Sequence, residues 1–105
     1  MSETFAFSLI TLEGHLFDGP VTAISAPGRE GSFGVLSGHA QMVAALRAGA
    51  VTVTINENDV QYFVISNDAV CEVRQNHTVI LAEKAQSVSG PEEVKELLAG
   101  AYAAG

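Results

Sequence analysis

The chain has 105 residues, 48% of them apolar, which is enough for one domain around a single core. Twelve Asp and Glu stand against five Lys and Arg, a formal net charge of −7, and such a surface is repelled by nucleic-acid phosphates and by anionic lipid. One cysteine, Cys71, excludes an internal disulfide, and no apolar run reaches the ~20 residues that cross a bilayer.

The N-terminus, Met1-Ser2-Glu3-Thr4, lacks the basic and apolar regions of a signal peptide and is too acidic for a transit sequence. A soluble intracellular domain is expected. Phe5, Phe7 and Leu9 alternate with Thr4, Ala6 and Ser8, the period-2 pattern of a half-buried strand. His15-Leu16-Phe17 is a second run, ended by Asp18-Gly19-Pro20, and Val21 to Ala26 is a third, stopping at Pro27-Gly28. Gln41 to Leu46 fits either a strand or one helical turn, and Gly38 and Gly49 bracket it closely enough to favour a strand. Val51, Val53 and Ile55 alternate with Thr52 and Thr54. Asn56-Glu57-Asn58-Asp59 then reads as a hairpin turn into Val60–Ile65, because Asn and Asp tolerate left-handed backbone and bond it locally. Ser66-Asn67-Asp68 turns into Ala69–Val73, and Arg74-Gln75-Asn76 into Thr78–Ala82. Short strands at roughly eight-to-twelve-residue spacing, without helical periods between them, indicate an antiparallel sandwich or barrel.

The pattern changes at Ser89. Ser89 as cap, Pro91 in the first turn and Glu92 three residues beyond Ser89 make a helix start. Val94, Leu97, Leu98 and Ala101 then form one apolar stripe on an acidic helix. From Pro91 to Ala103 it would span about 20 Å, too short to stand alone, so it should dock on the sandwich or fray.

Few residues offer chemistry. Cys71, His15, His39 and His77 lack metal-ligand spacing, and Cys71 inside Ala69–Val73 reads as a small buried hydrophobe. Ser37 and Ser66 lack the context of a nucleophile elbow, and Asn76-His77-Thr78 without a secretory signal is a chance glycosylation triplet. The densest feature is Pro27 to Ala40, with glycines at 28, 31, 34 and 38. It has no phosphate-loop lysine and the charges of Arg29 and Glu30 cancel, so it is either a glycine-rich corner linking two sheets or a loop built to lie against another protein.

That stretch carries a resemblance. Gly28-x-x-Gly31-x-x-Gly34-Val35-Leu36-x-Gly38-His39-Ala40, followed by Leu46-x-x-Gly49, resembles the signature region of bacterial and chloroplast ATP synthase epsilon subunits, whose mitochondrial homologue is called delta. Phe7-x-Leu9-Ile10-Thr11 before Leu16-Phe17-x-Gly19, and the runs Val70–Val73 and Thr78–Glu83, are similar to the family's first and last strands, so the match covers residues 4–85.

The resemblance implies a mainly β fold: a two-sheet antiparallel β-sandwich of about ten strands over residues 1–88, then a short C-terminal α-helix and tail over 89–105. It implies a non-catalytic rotor subunit of the central stalk that binds the gamma subunit, rests on the membrane proteolipid ring and touches the catalytic head indirectly. It would couple proton- or sodium-driven ATP synthesis from the cytoplasmic face of the bacterial inner membrane. Glu30, Gly31 and Ser32 match the ring-contact loop, and Thr11, His39 and Ser66 match gamma-facing positions. Ser32 stands where an acidic residue is common, Ser37 and Gln41 stand where prolines flank Gly-His-Ala, and Asn67-Asp68 replaces a Gly-Gly pair with residues that tolerate the same turn. Family members typically carry two C-terminal helices that can extend and inhibit hydrolysis; here part of the first is expected and the second is not, so inhibition is expected to be lost. At the family's ATP motif Glu92 replaces Asp and Lys95 replaces Arg, which removes a planar bidentate fork, so no ATP, other cofactor or metal is expected. A free-standing β-sandwich binding module, or a small enzyme using Cys71 or His39, are the competing readings.

Overall fold

The computed structural model describes residues 3–100. Its strands are β1 (Phe5–Thr11), β2 (Gly14–Val21), β3 (Ala23–Gly28), β4 (Gly31–Leu36), β5 (Met42–Leu46), β6 (Gly49–Asn56), β7 (Asp59–Ile65), β8 (Ala69–Arg74), β9 (His77–Leu81) and β10 (Ala85–Val88), followed by the helix α1 (Pro91–Ala99). The strands form one hydrogen-bonded sheet folded into two layers, β10-β7-β6-β3-β4 and β5-β8-β9-β1-β2. Neighbours are antiparallel with one exception, the parallel pair β1–β9, which departs from the fully antiparallel expectation. The reason is topological: the first strand of the β1–β2 hairpin lies beside the second strand of the β8–β9 hairpin, and both run in the same direction.

Alternation places the core between the layers. Phe5, Phe7 and Leu9 of β1, Ile80 of β9, Cys71 and Val73 of β8 and Leu46 of β5 face inward from one layer. Val51 and Val53 of β6, Phe63 and Ile65 of β7, Ile24 and Ala26 of β3 and Val35 of β4 face them from the other. On the closed side Phe17 of the edge strand β2 stands between the layers, its ring centroid 5.7 Å from Phe7 and 6.1 Å from Phe63.

Two turn readings are corrected. Asp18-Gly19-Pro20 does not end β2, which runs on to Val21. Pro20 pairs with Ala6, and because β2 is an edge strand its missing N–H leaves no ladder bond unmade. The glycine-rich stretch is a strand hairpin over most of its length: β3 and β4 pair from Ala23↔Leu36 to Gly28↔Gly31 around Arg29-Glu30. Of its four glycines, Gly31 (φ 137°) and Gly38 (φ 82°) use left-handed backbone. Gly28 is needed for space, since a Cβ there would lie 2.5 Å from the Gly31 carbonyl oxygen. It is also the corner between the layers. Gly28 pairs with Leu46 of β5, the Arg29 N–H donates to the Ala45 carbonyl at 3.0 Å, and the Arg47 N–H donates to the Pro27 carbonyl at 2.9 Å.

The other turns follow their residues. Asn56 makes the β6–β7 turn through its side chain, its Oδ1 accepting from the Asn58 N–H at 2.8 Å, and no left-handed residue is used there. Asp68 (φ 66°) and Asn76 (φ 62°) do adopt that conformation. The helix begins one residue later than its sequence signals suggest. Gly90 is the N-cap without a side-chain bond, and Glu93 rather than Glu92 reaches back, its carboxylate accepting from the Ser89 N–H at 2.7 Å and the Ser89 hydroxyl at 3.1 Å. Pro91 fixes this register by taking the first helical position, which puts Glu93 at the third. Val94, Leu97 and Leu98 pack on Tyr62, Val64 and Val88, so the helix docks on the outer face of the β10-β7-β6-β3-β4 layer. Ala101 of the expected stripe, and the expected helix beyond Gly100, lie outside the described residues.

Candidate functional site: two loop ends and an uncovered sheet face

Strand register sorts the candidate residues by end of the sandwich. Gly28 lies beside Leu46, Leu46 beside Ala69, Gly49 beside Ile65, Val70 beside Leu81, and Leu81 beside Ile10. One end therefore holds the Thr11–Gly14 turn, the Arg29-Glu30 turn and the Ser66–Asp68 turn. The opposite end holds Phe5, the segment from Leu36 to Gln41, and the Arg74–His77 turn, around a cavity of about 330 Å³.

Glu30, Gly31 and Ser32 are exposed at the tip of the β3–β4 hairpin. The tip is braced by its neighbour turn, where the Arg29 guanidinium pairs with the Asp68 carboxylate, both side chains exposed. Asn67 adds a second brace, its Oδ1 accepting from the Ala48 N–H at 2.8 Å. The three residues matched to gamma-facing positions do not come together. Thr11 and Ser66 lie at the hairpin-tip end, while His39 lies at the other. Seven residues of β1 separate the ends, roughly 23 Å. Each is also tied locally. The Thr11 Oγ1 accepts from the Glu13 N–H at 3.1 Å, the Ser66 Oγ accepts from the Lys84 N–H at 3.0 Å, and His39 Nδ1 donates to the Ala40 carbonyl at 2.7 Å. Glu92 and Lys95 are exposed on the solvent side of α1.

Cys71 is wholly buried between Ala44 and Ile80, and desolvation pushes its thiol up from 9.0 to about 11. A thiol so placed stays protonated and unreactive at neutral pH. Among the described residues no three His, Cys, Asp or Glu side chains gather as a metal site would need.

The largest feature that no motif announced is the outer face of β5-β8-β9-β1-β2. Ile10, Leu81, Val70 and Ala45 form one cross-strand row, because Ile10 pairs with Leu81, Leu81 with Val70 and Val70 with Ala45. Leu81 is 52% exposed, Val43 69%, Leu16 38% and Val70 37%, so four large apolar side chains of one layer face solvent. Val79 lies beside this row, between Ser8 and Glu72. A contiguous apolar surface of this kind marks an interaction site. The sequence signal was present: Val70 and Leu81 stand out of phase with their buried neighbours Cys71 and Ile80, giving β8 and β9 apolar residues on both faces. The face pointing away from the core is legible only once the partners of each strand are known.

The comparisons with known proteins agree with this architecture. Residues 4–88 match the model of the family described as ATP synthase, Delta/Epsilon chain, beta-sandwich domain. The ATP synthase epsilon chain of Bradyrhizobium sp. (strain BTAi1) is 40% identical over 101 residues, which cover 96% of this chain and 69% of that one. That of Rhodopseudomonas palustris (strain BisB18) is 40% identical over 86 residues, 82% of this chain and 62% of the relative, so the matches span about two thirds of these relatives' length. The same fold occurs in the Euglena gracilis mitochondrial ATP synthase OSCP/F1/c-ring structure, with a TM-score of 0.75 at 24% identity, covering 95% of this chain and 64% of that one. It occurs again in the Tetrahymena thermophila mitochondrial ATP synthase central stalk/c-ring structure, with a TM-score of 0.65 at 18% identity, covering 98% and 87%. On the family match over residues 4–88 and the 40% identity, this chain belongs to the ATP synthase delta/epsilon chain family.

Proposed function

We propose that the chain is the epsilon-type rotor subunit of an F-type ATP synthase, a non-catalytic part that joins the gamma subunit to the proteolipid ring. One observation carries the reading beyond family membership: a chain of this family leaves the outer face of its β5-β8-β9-β1-β2 layer apolar and uncovered. Gamma lies along that face. The face begins at the Thr11 end and finishes beside the His39 cavity, so a partner spanning it meets both residues, which are too far apart for a point contact. The hairpin tip Glu30-Gly31-Ser32, held at the end of the sandwich by Arg29 and Asp68, faces the ring. The assembled subunit sits at the membrane surface, on the cytoplasmic side in a bacterium, through its partners and not through insertion. Rotation needs rigid packing and no reacting group, and the buried, protonated Cys71 fits that role.

The experiment is binding to the gamma subunit of the same synthase, with Leu81→Asp as the variant. Leu81 is half exposed, so the fold survives while the apolar row acquires a charge. Affinity should fall by roughly a hundredfold. Unchanged binding removes gamma from this face, and no binding by the parent chain favours a free-standing module. On α1, Lys95 offers a point charge in place of a planar fork, so Mg-ATP should leave the melting temperature unmoved; a rise that saturates with nucleotide would contradict this.

A further inference from the structure

The apolar row is flanked, toward the β2 edge, by one polar cluster that the strand pattern hides. Ser8, on the outer side of β1, is 3% exposed although its neighbours Phe7 and Leu9 already fill the core side. Its hydroxyl donates to Asp18 Oδ1 at 2.8 Å, directly across the β1–β2 pair. Its single proton is thereby used, so the 3.1 Å contact with His77 Nε2 runs the other way: the ring N–H donates to Ser8. Ser8 thus clamps Asp18 on one side and fixes the His77 tautomer on the other.

The charges on this face are not equivalent. Glu72 has its own cation, Arg74, at 3.1 Å, and Arg74 lies opposite His77 in the β8–β9 register. Asp18 has none: among the described residues the ion pairs join Arg29 to Asp68 and Arg74 to Glu72, and Asp18 is held by a neutral hydroxyl. It is exposed, so water satisfies its charge in the free subunit. A partner that covers Leu16 and reaches over the β1–β2 edge strips water from the carboxylate two residues along the same strand. An unpaired carboxylate in such an interface opposes binding strongly, whereas one met by a cation contributes to it and fixes its register.

We infer that Asp18, oriented by Ser8, is the specificity-determining anchor of this face, and that the gamma surface docked there presents an Arg or Lys side chain to it. The inference rests on the proposed docking of gamma on this face. It adds the polar determinant that an apolar row cannot provide, since apolar contact alone fixes neither partner nor register.

The test is the dissociation constant of the full chain with its gamma subunit, measured across ionic strength. Asp18→Asn keeps shape and hydrogen bonding while removing the charge. It should weaken binding about thirtyfold and flatten the salt dependence. Binding equal to or tighter than the parent's overturns the inference. Ser8→Ala should weaken binding in the parent and have no effect in the Asp18→Asn background, because it acts through the carboxylate; equal losses in both backgrounds would reduce Ser8 to a structural residue and overturn its assigned role. His77→Gln retains a donor toward Ser8 without the possibility of charge, and should stay within about threefold of the parent. A loss of tenfold or more would place the neutralising charge on His77 and not on gamma, against the inference. Leu81→Asp keeps the two failures apart: if it leaves binding intact, the docking face itself is wrong, and if it abolishes binding while Asp18→Asn does not weaken it, only the anchor is wrong.

Discussion

The two outer faces of this sandwich pose one problem and solve it differently. Each layer carries apolar side chains that point away from the core. On the β10-β7-β6-β3-β4 layer these are Tyr62, Val64 and Val88, and the chain covers them itself with Val94, Leu97 and Leu98 of α1, leaving Val64 wholly buried. On the β5-β8-β9-β1-β2 layer the row through Leu81 and Val70 meets no other part of the described chain. Burial energy is the same on both sides per unit area. On the first face it stabilises the fold, and on the second it is available to the proposed partner. Exposed apolar residues on the covered layer, Leu36 and Val60, stand near strand ends, and Ala23 and Thr54 separate them along their cross-strand row.

The sharpest way to break the comparison is to place the same charge on each face. Val64→Asp puts a carboxylate beneath α1, where it must either stay unsolvated or displace the helix. Unfolding free energy should drop by about 3 kcal/mol, with loss of the helical signal in circular dichroism. Leu81→Asp should change stability by less than about 0.5 kcal/mol in chemical denaturation, since a half-exposed site solvates the charge. Equal effects from the two variants would mean that the faces are energetically alike. The smallest effect concerns the core between them. Cys71 is titratable, and its folded thiol lies at about 11 against 9.0 for an unperturbed one. The folded state therefore holds its proton more tightly, so this contribution is intact below pH 9 and is lost as pH rises toward 11. Unfolding midpoints should fall across that window and the fall should shrink in Cys71→Ala; an identical pH dependence in both would show that the thiol does not titrate with unfolding.

Much of the fold was legible because alternation is strong where one face is buried. Phe5-x-Phe7-x-Leu9 and Val51-x-Val53-x-Ile55 announced their strands, and Asp68 and Asn76 took the left-handed turns their side chains allow. Two strands were not announced. β4 is built from Gly31-Ser32-Phe33-Gly34, whose glycines read as loop, yet β3 holds it through six paired positions. β10 is Ala-Gln-Ser-Val, with no propensity of its own, and exists because β7 offers it a ladder and Val88 finds Val64 and the helix. Both are edge strands, where tertiary pairing overrides local preference. The candidate site was less legible. Glu30-Gly31-Ser32 sits at an exposed tip, and the resemblance groups Thr11 and Ser66 with His39, which strand register alone shows to stand at the opposite end. Ser8 and Asp18 carried no signal, because ten residues of sequence separate a pair that only the β1–β2 register brings together.

The central claim is that gamma covers the β5-β8-β9-β1-β2 face and leaves the helix-bearing layer free. Single cysteines test it most directly, because the native Cys71 is buried and will not compete for a thiol reagent. Leu81→Cys and Val60→Cys place one reporter on each face, at sites 52% and 41% exposed in the free chain. Addition of gamma should slow modification at position 81 at least about tenfold and leave position 60 unchanged. Protection at position 60 with position 81 still reactive would contradict the account.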